Sequence, residues 1–258
     1  MKRSLKKEIA AGKEIVGTWS DGHSNTCIEV AGMVGFDFVI IDNEHGCHNN
    51  VSLVDAVRTA ESANIAPIIR VPNPHFEDPI KKALDMGASG VLVPNVETAE
   101  DAASAVKFSK FAPMGKRGCC PYLRSNDYSL KYGTVDYYQK ANEEVTTMLL
   151  IECTEAVKNI EEIVKVPGVD ALLIGRVDLS CSMGIPGQLN APEMLEAIDK
   201  VVSTARAAGV PIGIVGFGHE DTVWWAHSGR VDFVTVGGDT GILIAAYQKD
   251  LNAIRSKE

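Results

Sequence analysis

Short apolar runs rich in valine and isoleucine alternate along the chain with longer segments whose apolar residues have a helical spacing. Near-continuous hydrophobicity in such short runs is typical of strands that are buried on both faces of a parallel sheet. The pattern therefore predicts strands at residues 14–20, 36–42, 66–72, 90–94, 146–152, 169–175, 210–216 and 231–237.

Helix start and stop signals lie between these runs. An Asn-Val-Ser sequence at residues 50–52 precedes one amphipathic segment, and Pro192 opens another that Gly209 closes. Proline at the start of a helix and glycine just after its end are typical of helix boundaries. Eight strand–helix alternations in 258 residues predict one (β/α)8 barrel, the TIM-barrel fold, with residues 1–258 forming a single domain.

Two stretches depart from a minimal barrel. The interval at about 110–145 is too long for a simple connection, and long excursions of this kind are often functional parts of the catalytic mouth. Residues 240–257 predict a final helix that is polar enough to lie on the outside of the barrel or to pack on a neighbouring subunit.

Charge and cysteine content narrow the class of protein. Lysine and arginine number 25 against 34 aspartate and glutamate residues, and a net charge of −9 disfavours nucleic acid and membrane surfaces as partners. Charged residues interrupt the first turns of the chain, which excludes a signal peptide, and no apolar run is long enough to span a membrane. The six scattered cysteines predict reduced thiols and a cytoplasmic location.

Polar side chains stand at the carboxyl ends of several predicted strands. The active site of a (β/α)8 barrel lies at this end of the strands. A single charge there is usually just solvated, whereas several that converge on one mouth indicate a functional site. The candidates are Trp19, Asp42, Glu44, His45, Arg70, Asn95, Glu97, Glu152 and Asp178.

Glu152 and Asp178 follow neighbouring strands. Because adjacent strands lie about 4.8 Å apart, the two carboxylates can share one ion. Oxygen ligands without a histidine or cysteine favour a hard cation such as Mg²⁺ or Mn²⁺. The alternative is that Glu152 caps the next helix and Asp178 belongs to an ordinary turn.

Arg70 ends a buried strand, where a guanidinium requires an anion. Its planar fork matches a substrate carboxylate, but an ion pair with Asp42 or Glu44 is an equally good interpretation. Asp42 and His45 are three residues apart, so the acid can orient the imidazole for general-base catalysis. A structural histidine in a turn is the alternative.

The chain lacks the residues that several other catalytic mechanisms and nucleotide-binding sites require. No lysine ends a predicted strand, so Schiff-base aldolase chemistry has no candidate nucleophile. The chain also lacks a P-loop, a GxSxG elbow and a GxGxxG sequence after a strand.

Seven segments in chain order resemble the HpcH/HpaI family of metal-dependent (class II) pyruvate aldolases, which includes 4-hydroxy-2-oxoheptanedioate and 2-keto-3-deoxyglucarate aldolases. The resemblance extends from about residue 5 to residue 250. The segments are GTWS (17–20), GFDFVIIDNEHG (35–46), IIRVP (68–72), ALDMGASGVLVPNVETAEDA (83–102), GKRG (115–118), LIECTEAVKNIEEI (150–163) and GVDALLIGRVDLSCSMG (168–184).

The resemblance implies roles for individual residues. Glu152 and Asp178 match the ligands of a divalent cation, which is Mg²⁺, Mn²⁺ or Co²⁺ in such enzymes. Arg70 matches the arginine that contacts the keto oxygen and stabilises the enolate. His45, with Asp42 nearby, matches an acid–base pair that acts through a water molecule.

Further roles concern substrate binding and assembly. Trp19 matches an aromatic wall of the pyruvate pocket, and the turn of Gly175, Val177 and Asp178 would offer backbone N–H groups to the substrate carboxylate. Asp85 matches an acid that reaches across a subunit interface towards the neighbour's histidine. The resemblance implies a homo-oligomer, a hexamer built from dimers that exchange the C-terminal helix.

The implied reaction is reversible cleavage of a 4-hydroxy-2-oxoacid to pyruvate and an aldehyde through a pyruvate enolate, with oxaloacetate decarboxylation as a side activity. Two alternatives are a citrate-lyase-like enzyme acting on CoA thioesters and a non-catalytic barrel that binds an oxoacid. Three positions depart from the family pattern. Leu150 replaces a glutamine, Arg176 replaces a proline and would add a charge near the carboxylate site, and Gly238 replaces a serine.

Overall fold

The computed structural model describes residues 3–133 and 135–256. Eight parallel strands form a closed barrel in sequence order, and β8 pairs with β1. The predicted (β/α)8 fold is therefore confirmed. The strands are β1 (Ile15–Ser20), β2 (Phe38–Asp42), β3 (Ala66–Arg70), β4 (Gly90–Val93), β5 (Thr146–Ile151), β6 (Ala171–Ile174), β7 (Ile212–Val215) and β8 (Phe233–Gly238).

The strands are apolar because both of their faces are covered. Every residue of β2, β3 and β5 is buried. Alternate side chains fill the barrel interior, where Phe38 and Phe233 pack edge to face with ring centroids 6.0 Å apart. Glycine opposite each ring makes room for it, since a Cβ at Gly17 would overlap Phe38 and one at Gly213 would overlap Phe233.

Helices cover the outer faces of the strands, and local signals fix their ends. Asn49 and Thr98 form capping boxes for the helices that begin at Asn50 and Ala99, and Gly209, with a φ of +70°, follows the helix that begins at Pro192. The helices are α1 (Leu5–Ala10), α2 (Asn25–Val34), α3 (Asn50–Ser62), α4 (Glu77–Asp85), α5 (Ala99–Ser109), α6 (Tyr137–Glu144), α7 (Thr154–Lys158), α8 (Ile160–Ile163), α9 (Arg176–Ser182), α10 (Pro192–Ala207), α11 (His219–His227) and α12 (Asp239–Arg255).

The excursion at 110–145 lies between α5 and β5 and includes a 3₁₀ turn and α6. Buried Lys110 donates hydrogen bonds to the carbonyl of Val145 (2.6 Å) and to Asp170 Oδ2 (2.8 Å). Val145 and Asp170 immediately precede β5 and β6, so these contacts are at the amino-terminal end of the barrel. The expected place of the excursion at the catalytic mouth is therefore wrong, because a connection from a helix to the next strand lies at the opposite end.

Helix α12 extends away from its own barrel. From Thr240 onwards its side chains are exposed, including those of Ile242, Leu243, Ile244, Tyr247, Leu251 and Ile254. Predicted helix residue Lys257 lies outside the described residues. Within the described ranges, no helix is both long and apolar enough to cross a membrane.

Candidate active site

Asp42 and Arg70 end neighbouring strands and are register partners of the β2–β3 pair. Arg70 donates from Nε to Asp42 Oδ1 at 2.9 Å and from Nη2 to Asp42 Oδ2 at 2.7 Å. Its third nitrogen, Nη1, lies 3.2 Å from Glu44 Oε2. The ion pair that the sequence left open is thus present, and both acids named for it take part.

The contact with Arg70 determines the protonation state of the Asp42 carboxyl group. Burial by itself would raise the pKa of Asp42, but the hydrogen bonds and charge of Arg70, together with the N–H groups of Glu44 and His45, lower that pKa below its ordinary value of 3.8. Asp42 therefore stays ionised and holds the guanidinium in one orientation at the mouth.

Trp19 supports the same guanidinium from another side. The Arg70 Cζ atom lies 4.9 Å from the centre of the indole ring, and the indole Nε1–H donates to Thr235 Oγ1 at 2.9 Å. A cation over the face of tryptophan is attracted by the ring electrons. The structure thus places Trp19 beside Arg70, where it forms an apolar wall.

Glu152 directly follows β5 and is only 7% exposed. Its Oε1 accepts the backbone N–H of Asn95 at 2.7 Å. Burial raises the pKa of Glu152 to about 7, the Asn95 N–H and Arg70 oppose this rise, and the negative charges of Glu44 and Asp178 add to it. A carboxylate that is buried and crowded by other carboxylates is a place where a cation is favoured.

Asn95 joins Glu152 to Glu44. Its backbone has a φ of +56°, and its side-chain Nδ2 donates to Glu44 Oε1 at 3.1 Å. Glu44 therefore contacts both Arg70 and Asn95, and burial raises its pKa. Sequence reasoning treated Glu44 only as an ion-pair partner and missed this bridging position, although it lies two residues after Asp42.

The turn after β6 lies beside Glu152. A Cβ added to Gly175 would lie 3.2 Å from Glu152 Cβ and 3.4 Å from its Oε2, so glycine leaves the space next to the carboxylate open. Val177 and Asp178 are exposed in the first turn of α9. The turn can thus present a carboxylate and backbone N–H groups to the same space.

The donor set fits a hard divalent cation. Within residues 3–133 and 135–256, no group of three histidine, cysteine, aspartate or glutamate side chains could hold a metal. The carboxylates of Glu152 and Asp178 could supply two protein ligands, and water or substrate oxygens could supply the others. Open positions of this kind are typical of Mg²⁺ sites.

His45 has a different environment from the one expected. Its side chain is 70% exposed, and its Nε2 lies 3.8 Å from Glu44 Oε2. Asp42 accepts the backbone N–H of His45 at 3.3 Å and makes no contact with the imidazole. The prediction that Asp42 orients this ring is wrong in this structure, because the acid beside the imidazole is Glu44 and the Asp42 carboxylate faces Arg70.

Asp85 does not join the other candidates within one chain. It ends α4, at the opposite end of the barrel from the mouth, and accepts a hydrogen bond from Arg117 Nη2 at 2.7 Å. Its expected action on a neighbouring subunit stays a prediction.

The three departures from the family pattern have different structural outcomes. Leu150 is buried in the barrel interior and contributes no polar group to the mouth. Arg176 is buried and paired with Asp221, so the expected extra charge near the carboxylate site is neutralised. A Cβ at Gly238 would overlap the Asp21 carboxylate, so any larger residue there would require the Asp21 side chain to move.

His48 is a second residue that sequence reasoning missed. Its Nδ1 lies 3.2 Å from Ser52 Oγ, and its ring meets that of His23 with centroids 4.5 Å apart. Its Nε2 is buried and has no hydrogen-bond partner among the described residues. The only signal was its place in the loop after β2, three residues beyond His45.

A closed parallel barrel with an arginine–carboxylate cluster at the carboxyl ends of its strands defines a (β/α)8-barrel enzyme. The family model for HpcH/HpaI aldolase/citrate lyase matches residues 16–246. The chain belongs to the HpcH/HpaI aldolase/citrate lyase family and is a carbon–carbon lyase.

Relatives and solved structures cover nearly the whole chain. A 5-keto-4-deoxy-D-glucarate aldolase of Enterobacter sp. (strain 638) is 34% identical over 247 residues, which are 94% of this chain and 93% of the relative. The HpcH/HpaI aldolase of Desulfitobacterium hafniense DCB-2 has a TM-score of 0.92 at 28% identity, with 99% of this chain and 98% of that chain covered. The citrate synthase SbnG has a TM-score of 0.87 at 32% identity, with 98% and 97% covered.

Proposed function

We propose that the protein is a divalent-metal-dependent aldolase that cleaves a 4-hydroxy-2-oxoacid reversibly to pyruvate and an aldehyde. The observation that supports this most strongly is the arrangement of Arg70, which is fixed by Asp42 and Trp19 and is within electrostatic reach of buried Glu152. An oriented positive group beside a cation site is what a developing enolate requires.

The metal is part of the proposal. Glu152 and Asp178 would hold Mg²⁺, Mn²⁺ or Co²⁺, and the cation would act as a Lewis acid that withdraws charge from the keto acid. The Gly175–Asp178 turn would donate backbone N–H groups to the substrate carboxylate. Trp19 would exclude water from the apolar side of the pyruvate methyl group.

Arg70 and His45 would carry out different parts of the cleavage. A base removes the proton from the C4 hydroxyl, the C3–C4 bond breaks, and its electron pair passes into the pyruvate enolate. Arg70 would stabilise the enolate oxygen through the Nη1 group that now faces Glu44 at 3.2 Å. Exposed His45 would accept the hydroxyl proton, directly or through water, and would return a proton by the same route to the enolate carbon, which gives pyruvate.

The name of the curated relatives supports this substrate class. In 5-keto-4-deoxy-D-glucarate the keto group is next to a terminal carboxylate, and a hydroxyl stands two carbons away. Counted from that carboxylate, the compound is a 4-hydroxy-2-oxoacid. We propose a substrate of this class and leave the aldehyde to the test below.

The likeness to a protein called a citrate synthase favours a second candidate, a lyase or synthase that uses a CoA thioester. That reaction would also bind an oxoacid at this mouth. It differs in requiring a nucleotide thioester, so formation of citrate from oxaloacetate and acetyl-CoA would distinguish it.

Assembly is a separate proposal. We propose a homo-oligomer, a hexamer built from dimers that exchange α12, with small oxoacids and aldehydes as the other partners and no role for nucleic acid or membranes. Two apolar grooves of about 370 and 820 Å³ adjoin Ile242 at the start of α12. The exposed side chains of α12 and these grooves are both apolar, so a second copy would cover both.

All six cysteines are free, which supports a reducing compartment, the cytoplasm.

The test is pyruvate release from a panel of 4-hydroxy-2-oxoacids, followed by lactate dehydrogenase and NADH, with Mn²⁺ and then with EDTA. The proposal predicts release that EDTA abolishes and added Mn²⁺ restores. Citrate formation without cleavage of any panel member would favour the thioester candidate. Thermal stabilisation by oxoacids without any turnover would instead indicate a non-catalytic binding protein.

A further inference from the structure

Arg176 is a buried charge in the wall of the mouth. It is the first residue of α9 and is 1% exposed. Its Nη1 donates to Asp221 Oδ1 at 2.9 Å, and its Nη2 donates to Asp221 Oδ2. Nε and Nη2 also donate to the Val215 carbonyl at 3.2 and 3.0 Å. Every guanidinium nitrogen is therefore directed at the β7 side of the barrel.

Asp221 extends this connection to the next loop. It lies in the first turn of α11, and its Oδ2 also accepts the backbone N–H of Phe217 at 2.8 Å. The Asp221 carboxylate thus joins the start of α9 to the loop that follows β7, and Arg176 joins the start of α9 to the end of β7. We call these contacts of Arg176 with Asp221 and Val215 the Arg176 clamp.

The Arg176 clamp is one of several restraints on this segment, because Leu179 is buried in the core and Ser182 Oγ accepts the backbone N–H of Thr154 at 2.9 Å. Helix α9 has seven residues, and its first turn carries exposed Val177 and Asp178. Within this turn the Ser180 hydroxyl donates a hydrogen bond to the carbonyl of Val177 at 2.6 Å. On the β5 side the turn is held by the Gly175 N–H, which donates to the Ile151 carbonyl at 3.0 Å, and on the β7 side it is held by Arg176.

Small displacements of this turn matter because Gly175 packs closely on Glu152. The position of a Gly175 Cβ is 3.2 Å from Glu152 Cβ, so a shift of the turn changes the space between Glu152 and Asp178. A buried ion pair contributes little net stability, because the loss of hydration offsets the attraction, whereas it can fix one geometry. The Arg176 clamp is thus suited to set a position.

We propose that Arg176 and Asp221 are positioning residues that hold Asp178 and the backbone N–H groups of the Gly175–Asp178 turn in register with Glu152. This inference rests on the proposed function for its catalytic consequence. Its structural part, a turn restrained by the Arg176 clamp, stands without any metal.

The test uses Arg176→Met, Arg176→Lys and a matched control, Arg230→Met. Arg176 and Arg230 both lie over the ring of Trp225, with Cζ atoms 5.5 and 5.1 Å from its centre. Arg230 pairs with Asp199 and makes no contact with α9 or Asp221 in the described structure. The control therefore reports any effect that passes through Trp225 or through general stability.

The first readout is amide hydrogen exchange of the metal-free proteins. Arg176→Met should speed exchange in residues 175–182 and 215–221 by about tenfold or more, whereas Arg230→Met should leave these segments unchanged. The second readout is Mn²⁺ affinity by titration, where Arg176→Met should raise the Kd by about tenfold or more, as loss of partners that orient metal ligands does. Arg176→Lys retains one bond to Asp221 and should restore part of each effect.

The outcomes separate the two proposals. Unchanged exchange in residues 175–182 in both Arg176 variants would overturn the Arg176 clamp, whatever the wild-type protein binds. Faster exchange with unchanged Mn²⁺ affinity would overturn its positioning of Asp178. Faster exchange in a protein whose wild type binds no Mn²⁺ would support the restraint and contradict the proposed function. If Arg176→Met does not fold, Arg176→Lys and Asp221→Asn give the same comparison.

Discussion

Replacement of Arg70 by lysine tests the geometry of the mouth while keeping its charge. Arg70 uses two nitrogens on Asp42 and directs a third towards Glu44. A lysine ammonium is a point charge that cannot make the paired contact with Asp42 and also present a fixed donor to substrate. Removal of one preoriented donor to a developing oxyanion typically lowers kcat by about 100- to 1,000-fold, or roughly 3 kcal/mol. We therefore expect Arg70→Lys to lose about that much.

The assay is the metal-dependent release of pyruvate, with kcat and KM determined separately. The fall should be mainly in kcat, because the contact strengthens as charge develops on the keto oxygen. A rise in KM with an unchanged kcat would show that Arg70 binds substrate and transition state equally, and would refute this reasoning.

Arg70→Met adds a pH dependence with a defined sign. It leaves Asp42 buried without its cation, which should destabilise the protein by about 3 kcal/mol at neutral pH. The pKa of Asp42 is lowered in the folded wild type, so the stability from this pair is present above the ordinary value of 3.8 and is lost as the pH falls through the folded value. The stability difference between wild type and variant should thus shrink in acid. A difference that stays constant from neutral pH into this range contradicts the account.

The remaining predictions concern the metal, a glycine and the assembly. Glu152→Gln and Asp178→Asn should each abolish EDTA-sensitive turnover and weaken Mn²⁺ binding with an unchanged circular dichroism spectrum; full activity in both would remove the metal assignment. Gly238→Ser should destabilise the fold by about 1 kcal/mol, the low end of the range for an inserted side chain, because the Asp21 carboxylate can move aside, and Asp21→Ala should abolish this cost in thermal melts. Leu251→Asp should shift the protein to smaller species in sedimentation, and an unchanged oligomer would contradict α12 exchange.

The sequence predicted which strand ends carry polar groups but not which groups pair. The sequence pattern places Asp42, His45 and Arg70 at or just after the carboxyl ends of two neighbouring strands. Whether His45 or Arg70 contacts the Asp42 carboxylate depends on the register of β2 and β3, which sets Asp42 beside Arg70. An imidazole three residues away and a guanidinium on the next strand can both pair with the Asp42 carboxylate, and only the folded structure shows which of them does.

Two features of the structure have no signal in the neighbouring sequence. Asn95 reaches both Glu152 and Glu44 because its backbone adopts a positive φ, a conformation that asparagine tolerates but that does not follow from its sequence neighbours. The helical pattern after residue 239 predicted α12, yet a pattern cannot give the direction in which a terminal helix leaves the barrel.

The central claim is that this mouth forms and stabilises the enolate of pyruvate. The most direct measurement is exchange of the pyruvate methyl protons in D₂O by NMR, with Mg²⁺ or Mn²⁺ and then with EDTA, because it requires no knowledge of the aldehyde. We expect metal-dependent exchange that is slowed in Arg70→Lys and in His45→Ala. Absence of exchange in the metal-loaded wild type, or exchange that EDTA and Arg70→Lys leave unchanged, would contradict it.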